Sequence, residues 1–551
     1  MLSNWINHAS DWNPQLSREL KSRFKARNVL MAIAISVLVQ LGIIIFFYNQ
    51  LPAEHGFSSY CVSDSRCPKD ANGNFLVDWA AWWADMIQVL HWLLMYGLIV
   101  SGVFLLTADL YQEEHRGTLN FIRLSPQSAW TILSGKLLGV PSLLYVAVVA
   151  AVPFHIVVAT AVNLPLWIVL SFYVVLAGGA FLGYSAALLN AFLSKLPGRV
   201  VGEHLGTIYA LIISGFTALF LVPLYMLWNG YITWAPYVHF FLGDDAVTDA
   251  STYNSFIPHA FLLMNLAICS YWIWQALHRC FHQPGATIIS KKQSYGLTLY
   301  VEILIIGFAL FLSSKEQVNQ LFSTIGAIAV LNVAVFLCLI ALLSISRQNL
   351  VDWARYRHFE REAIASEVES PQRQRSWLRK RLPDRALLWD LVLGERSPAI
   401  VAIALNLLIF GIALLFVMGL GLNSWRAFSY AFAGAIITGN LIILYATLLQ
   451  IALLFKPSNR PFGVVALVGT AMLAPFIGIL GFSFDLPVLA QFLLLFTPVP
   501  WSVLSLSEGF SMSLIGTAIL GQWLAIAMAN IQLARQLKQL GQSSTRALLT
   551  E

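Results

Sequence analysis

The sequence predicts an all-α, polytopic integral membrane protein with about twelve transmembrane helices and both termini in the cytoplasm, on three observations. First, 58% of the 551 residues are hydrophobic and only 11% are charged. A water-soluble surface takes roughly 25% charged residues, so much of this one must face lipid. Second, apolar runs near the ~20 residues needed to cross a bilayer core recur along the whole chain. Third, all 33 Lys and Arg except Arg66, Lys69, Lys315 and Arg426 fall in segments that alternate to one side of those runs. That bias places the basic side in the cytoplasm and makes the number of crossings even. The net charge of +6 therefore reports topology, and no nucleic-acid partner is expected.

The runs fall at 29–48, 86–106, 137–162, 166–189, 207–228, 257–277, 297–313, 321–345, 399–422, 429–455, 461–482 and 513–534. The run at 297–313 is the weakest because it contains Glu302. A thirteenth piece, Val488 to Pro500, is too short to cross and carries Pro498 and Pro500, which suits a re-entrant or interfacial segment. Ahead of the first run, Leu16, Leu20 and Phe24 recur at helical spacing among Arg18, Lys21, Lys25 and Arg27. This pattern predicts an amphipathic helix in the inner interface. The polar opening residues and the length of the first run predict a retained span, not a cleaved signal peptide.

The organisation expected along the chain is a six-span module over 1–290, a two-span hairpin over 291–346, a charged cytoplasmic linker over 347–398 and a four-span region over 399–551. Leu387 to Ile400 runs into its span much as the N-terminal helix runs into the first, yet six, two and four spans do not make a clean repeat.

Chemistry-bearing motifs are few. There is no GxxxxGK[ST] phosphate loop, and Gly179 with Gly183 reads as close helix packing. His278 and His282 share a helix face while Cys280 points away, so three ligands do not converge and no metal site is expected. Cys61 and Cys67 share the first outside loop, where a disulfide or two free thiols are equally compatible with the spacing. Asp85 and Glu302 lie close enough to an interface to meet water. The deeper polar groups His91, His155, Asn265, Asn332, Asn406 and Asn440 read as interhelical hydrogen-bond partners. No carboxylate relay of the kind used by ion-coupled carriers is evident.

One segment is distinctive. After the second run come Asp109, Glu113, Glu114, His115, Arg116, Gly117, Thr118, Leu119, then Leu124, Ser125 and Pro126, and finally Gly135 and Lys136 entering the third run. An acidic and basic stretch, a Gly-Thr-Leu, a short apolar helix through Phe121 and Ile122, a Ser-Pro turn and a Gly-Lys follow one another. This resembles the cytoplasmic loop of type-2 ATP-binding-cassette (ABC) exporter permeases. Asn13-Pro14 followed by Arg18-Glu19-Leu20 is similar to that family's N-terminal interfacial helix, and the resemblance spans residues 1–290.

The resemblance implies a permease subunit of an ATP-driven exporter in the plasma membrane. Its coupling loop would comprise Glu113, Glu114, Arg116, Gly117, Thr118, Leu119, Leu124, Ser125, Pro126 and Lys136. It further implies separate ABC ATPase subunits as partners, which would bind the ATP and Mg. The chain itself would be no enzyme and hold no cofactor, and a second permease chain could complete the assembly. The rival readings are a secondary transporter or channel independent of ATP, which needs a coupling ion or polar pore, and a membrane-embedded transferase, which needs a convergent acid, His or metal cluster.

Overall fold

The computed structural model describes residues 11–52, 58–61, 67–69, 73–118, 125–193, parts of 210–225, 256–283, 286–314, 318–368, 385–421, 425–455, 465–482, 487–497 and 511–542. The described residues are helical apart from turns, loops and two isolated β-bridges, with no strand among them. Among the described residues, eight helices are long and apolar enough to cross a membrane, or nine if one bent pair is counted. The chain is a multi-pass membrane protein. It divides into two compact units, one of Met1–Trp234 with Thr248–His282, the other of Ala235–Val247 with Gln283–Glu551.

In the first unit, α1 (Pro14–Arg23) begins where Asn13 caps it and Pro14 occupies a position that needs no N–H. Helix α2 (Ala26–Tyr48) is apolar on every side and exposes Leu30, Ile35, Leu38 and Ile45, a surface only lipid tolerates. The next span consists of α3 (Trp79–Met95), a π-helical turn (Tyr96–Val100) and α4 (Ser101–His115). A π turn widens the helix and loosens its backbone pairing. Here the buried Tyr184 hydroxyl donates to the Leu98 carbonyl at 2.7 Å, supplying a partner from a neighbouring helix.

Then follow α5 (Ala129–Gly139), α6 (Ser142–Ala161), α7 (Leu166–Leu193) and α8 (Phe256–His282). The third apolar run is thus two helices, parted where Pro141 removes a backbone donor. The core gathers Met86, Leu90, Val103, Leu106, Val158 and Leu188. Gly183 lies against Ile99 and Val103, and a Cβ on Gly178 would face Leu266; Gly179 is buried on the same helix.

The second unit holds α9 (Lys291–Ser314), α10 (Val318–Leu342), α11 (Arg347–Val368), α12 (Arg385–Leu393), α13 (Ile400–Gly421) and α14 (Trp425–Leu453). A π turn (Val465–Gly469) leads into α15 (Thr470–Phe482), followed by α16 (Pro487–Leu494) and α17 (Met512–Gly541). The run at 321–345 falls in α10, whose Ile328–Leu342 portion meets Arg347–Glu360, in the expected charged linker, at 71° to form the bent pair. Two runs are shorter as described helices, Ala210–Leu219 and Ala466–Leu480. The run at 297–313 lies within α9. The short piece at 488–500 is described as the eight residues of α16, with 498–500 outside the described residues.

Glu302 departs from its expected place near water. It is 2% exposed, Asn332 on α10 is its hydrogen-bonding neighbour, and one carboxyl oxygen has no partner. Asn440 donates to Gln522 at 3.1 Å and Asn406 to Ser294 at 3.0 Å, both between helices. Asn332, besides its contact with Glu302 across helices, donates to the Ile328 carbonyl four residues back, and Asn265 donates likewise to the Phe261 carbonyl.

Candidate functional site: a buried ionic junction

The distinctive segment of the first unit is built around α5. Asn13 caps α1 by accepting from the Leu16 N–H at 3.0 Å, and its amide donates to the Thr131 carbonyl at 2.8 Å. The two helices cross over Gly135 and Gly139. A Cβ on Gly135 would come within 2.8 Å of the Leu16 nitrogen, and one on Gly139 within 2.5 Å of the Glu19 Cβ. Glycines four residues apart share a helix face, so α5 presents a flat strip on which α1 lies.

That close crossing brings Glu19 to Lys136, 117 residues away in sequence. The Lys136 ammonium lies 2.8 Å from Asp109, 2.9 Å from Glu113 and 3.5 Å from Glu19, and its side chain is 1% exposed. Arg23 pairs with Asp109 at 2.7 Å and with Glu19 at 3.6 Å. Arg18 reaches Glu113 at 2.9 Å and Glu19 at 3.3 Å. Three acids and three bases thus join α1, the end of α4 and α5 into one charge-balanced junction. Burial pulls the Lys136 ammonium down, but attraction to Asp109, then Glu113 and Glu19, outweighs it and leaves the pKa above its ordinary value. The three carboxylates offer ligand oxygens within 4.8 Å of one another, a spacing a divalent ion could bridge. Lys136 already supplies positive charge among them.

The remaining loop residues separate into inward and outward groups. Glu113 faces the junction, so its charge is engaged within the chain. Arg116 is exposed. Gly117 has φ +72°, the left-handed conformation that ends a helix, and the Thr118 hydroxyl donates back to the Glu113 carbonyl at 3.1 Å. Ser125 and Pro126 form the bend ahead of α5, where Ser128 caps the next helix by accepting from the Thr131 N–H. The Glu114 side chain and all of Leu119 to Leu124 lie outside the described residues.

Two other groups noted in the sequence find partners. Cys61 and Cys67 form a disulfide, their Cα atoms 4.9 Å apart, beside β-bridges from Cys61 to Val77 and from Lys69 to Phe75. Tyr60 donates to Asp85 at 3.1 Å, tying this segment to α3. Within the core, His91 and His155 are 3.1 Å apart and His155 lies 2.9 Å from the Tyr173 hydroxyl, making a chain of polar groups across α3, α6 and α7. The rings of His278 and His282 meet edge to face along one side of α8, 4.5 Å between centroids.

Nothing in the order of residues pairs Glu19 and Asp109 with Lys136, because the pairing depends on a crossing between distant helices. The Gly135-Lys136 dipeptide was the available clue: a residue that permits close approach next to one that can reach across it. No family profile, curated protein or solved structure matches the chain, so its function is inferred from residues and geometry.

Proposed function

We propose that the chain is the permease subunit of an ATP-driven exporter of the ABC type, operated by a separate ATPase subunit that contacts the loop 109–136. The observation that carries this reading is the Lys136 junction. A force applied at Arg116 or the Ser125-Pro126 bend meets α1, α4 and α5 locked together, and each leads directly into a membrane helix. A short exposed loop on so stiff a base converts partner movement into helix movement. The topology that goes with it has twelve spans in a plasma membrane, both ends cytoplasmic, supported by the one-sided distribution of Lys and Arg. ATP and Mg would be held by the partner, and the chain would perform no catalysis of its own.

A secondary transporter is the second reading, favoured by the His91–His155–Tyr173 chain, which offers a proton-accepting relay among buried helices. One experiment separates them. The chain is isolated from its native membrane and the co-isolated proteins are tested for an ABC-type ATPase. The variant Glu114→Ala/Arg116→Ala should lose that ATPase while keeping its membrane insertion and its unfolding temperature. Full ATPase retention and transport in the variant would remove the loop from the coupling role. Transport driven by a proton gradient without ATP would favour the His relay.

A further inference from the structure

The two units repeat one helix-packing scheme. In the first unit the first span, α2, packs on both the second, α3, and the third, α6. The second packs on the third through α3 and on the fourth, α7, through α4. The fourth packs on the third and on the sixth, α8. In the second unit α9 packs on α10 and α13, α10 on α13 and α14, and α14 on α13 and α17. With α9, α10, α13, α14, α15 and α17 numbered as six spans, every one of these neighbours recurs. The fourth and sixth helices are also joined by a side-chain hydrogen bond in each unit. Trp274 donates to Ser185 at 3.0 Å in one, and Asn440 to Gln522 at 3.1 Å in the other.

The junction recurs as well, with donor and acceptor exchanged. In the first unit a buried lysine on the helix before the third span reaches the segment before the first. In the second unit the buried Lys291, which opens the first span, reaches the segment before the third. It donates to the Leu391 carbonyl and the Ser397 hydroxyl, both at 2.7 Å, and to the Pro398 carbonyl at 3.1 Å. Trp353 on α11 donates to Asp390 on α12, as the end of α4 is tied to α5. Thus α11 and α12 stand where the distinctive loop and α5 stand in the first unit.

We infer that the chain is an internally duplicated permease in which α11 and α12 form a second contact site for the same ATPase subunit, so that one chain binds two copies. This rests on the ABC-type reading proposed above. Helix α11 turns Leu350 and Ala354 toward α17 and leaves Asp352, Arg355, Tyr356 and Phe359 exposed at helical spacing. Tyr356 is 65% and Phe359 73% exposed. Beside them is a cleft of about 550 Å³, whose walls set Asp352, Glu360, Asp390 and Glu395 against Arg357 and Arg396. The cleft walls carry four acids to two arginines, which suits a partner groove that is basic and apolar.

The test counts ATPase subunits per full-length chain by native mass spectrometry after isolation in mild detergent. The bound protein is identified by its nucleotide-binding motif and by hydrolysis of ATP. The wild type should carry two. Glu114→Ala/Arg116→Ala and Tyr356→Ala/Phe359→Ala should each carry one, and the combined variant none. Asp352→Lys, a single exposed reversal of one of the cleft's acids, should repeat the loss of one if the aromatic variant does not fold. Two chains per assembly with one ATPase each would overturn the duplication. So would a single ATPase lost only with the first-loop variant, although that result would leave the exporter reading intact. Two ATPases retained by the α11 variants, with weaker binding to anionic vesicles, would assign that face to lipid and overturn the contact site. A wild type with no ATPase would bring down the exporter reading and this inference together.

Discussion

Replacing Lys136 with Met keeps the length and apolar stem of the side chain and deletes its charge. The ammonium has two carboxylate contacts below 3 Å and a third at 3.5 Å. At an effective dielectric of about 20, a pair at this distance attracts by roughly 4–6 kcal/mol before desolvation is counted. Desolvation offsets much of that gain, and removing one member of a buried ion pair costs about 3–5 kcal/mol because the other is left uncompensated. Arg18 and Arg23 remain to neutralise part of the acid cluster, which places the expected loss near the lower end, about 3 kcal/mol. For a folding unit of 150–250 residues that is a fall of roughly 6–12 °C in unfolding temperature, read by intrinsic fluorescence of the purified chain in detergent. Adding Glu113→Gln to Lys136→Met leaves Glu19 and Asp109 to balance Arg18 and Arg23 and should restore part of the loss. A Lys136→Met protein that unfolds within 1 °C of wild type, or a double variant less stable than the single, would refute the junction as a coupled unit.

Three further outcomes are expected. Gly102→Ala places a methyl where the Tyr184 ring lies, so folded yield should fall sharply, and Gly102→Ala/Tyr184→Phe should remain impaired because the ring itself obstructs the Cβ. Lys291 precedes the apolar run, and burial lowers its pKa to about 8, with attraction to Asp390 only partly opposing the shift. Between that value and the ~10.4 of an unfolded lysine, the unfolded chain binds more protons, so stability should rise across this window by up to about 3 kcal/mol. Lys291→Met should flatten that part of the curve. Lys136 has the opposite sign: its contribution is full below about pH 10.4 and is lost only as pH climbs through its raised folded value. Alkylation of the native chain should leave Cys61 and Cys67 unmodified until reductant is added. Cys61→Ser should cost about 2 kcal/mol for so short a closed loop, and reaction of both thiols without reductant would exclude the bridge.

The sequence made the lipid-facing spans legible because an all-apolar helix such as α2 has no alternative solvent. It marked Gly135 and Lys136 as notable but could not name Glu19 as the partner, since that requires knowing that α1 crosses α5. Glu302 weakened an otherwise apolar run, and α9 is not among the described helices long and apolar enough to cross. What the sequence could not show is that this acid is buried beside Asn332. The repeat was obscured for a related reason. Matching helices need to fit the same neighbours, not keep the same letters, and Lys291 and Lys136 perform similar tying roles from opposite sides of their junctions.

The charge balance of the Lys136 junction also bears on what can drive it. Moving one elementary charge across the membrane potential involves about 2.3 kcal/mol per 100 mV. Three positive and three negative groups that travel as a body present no net charge to that field. Displacement of this element along the bilayer normal is therefore neither assisted nor resisted by voltage. A cell could depolarise without shifting its position.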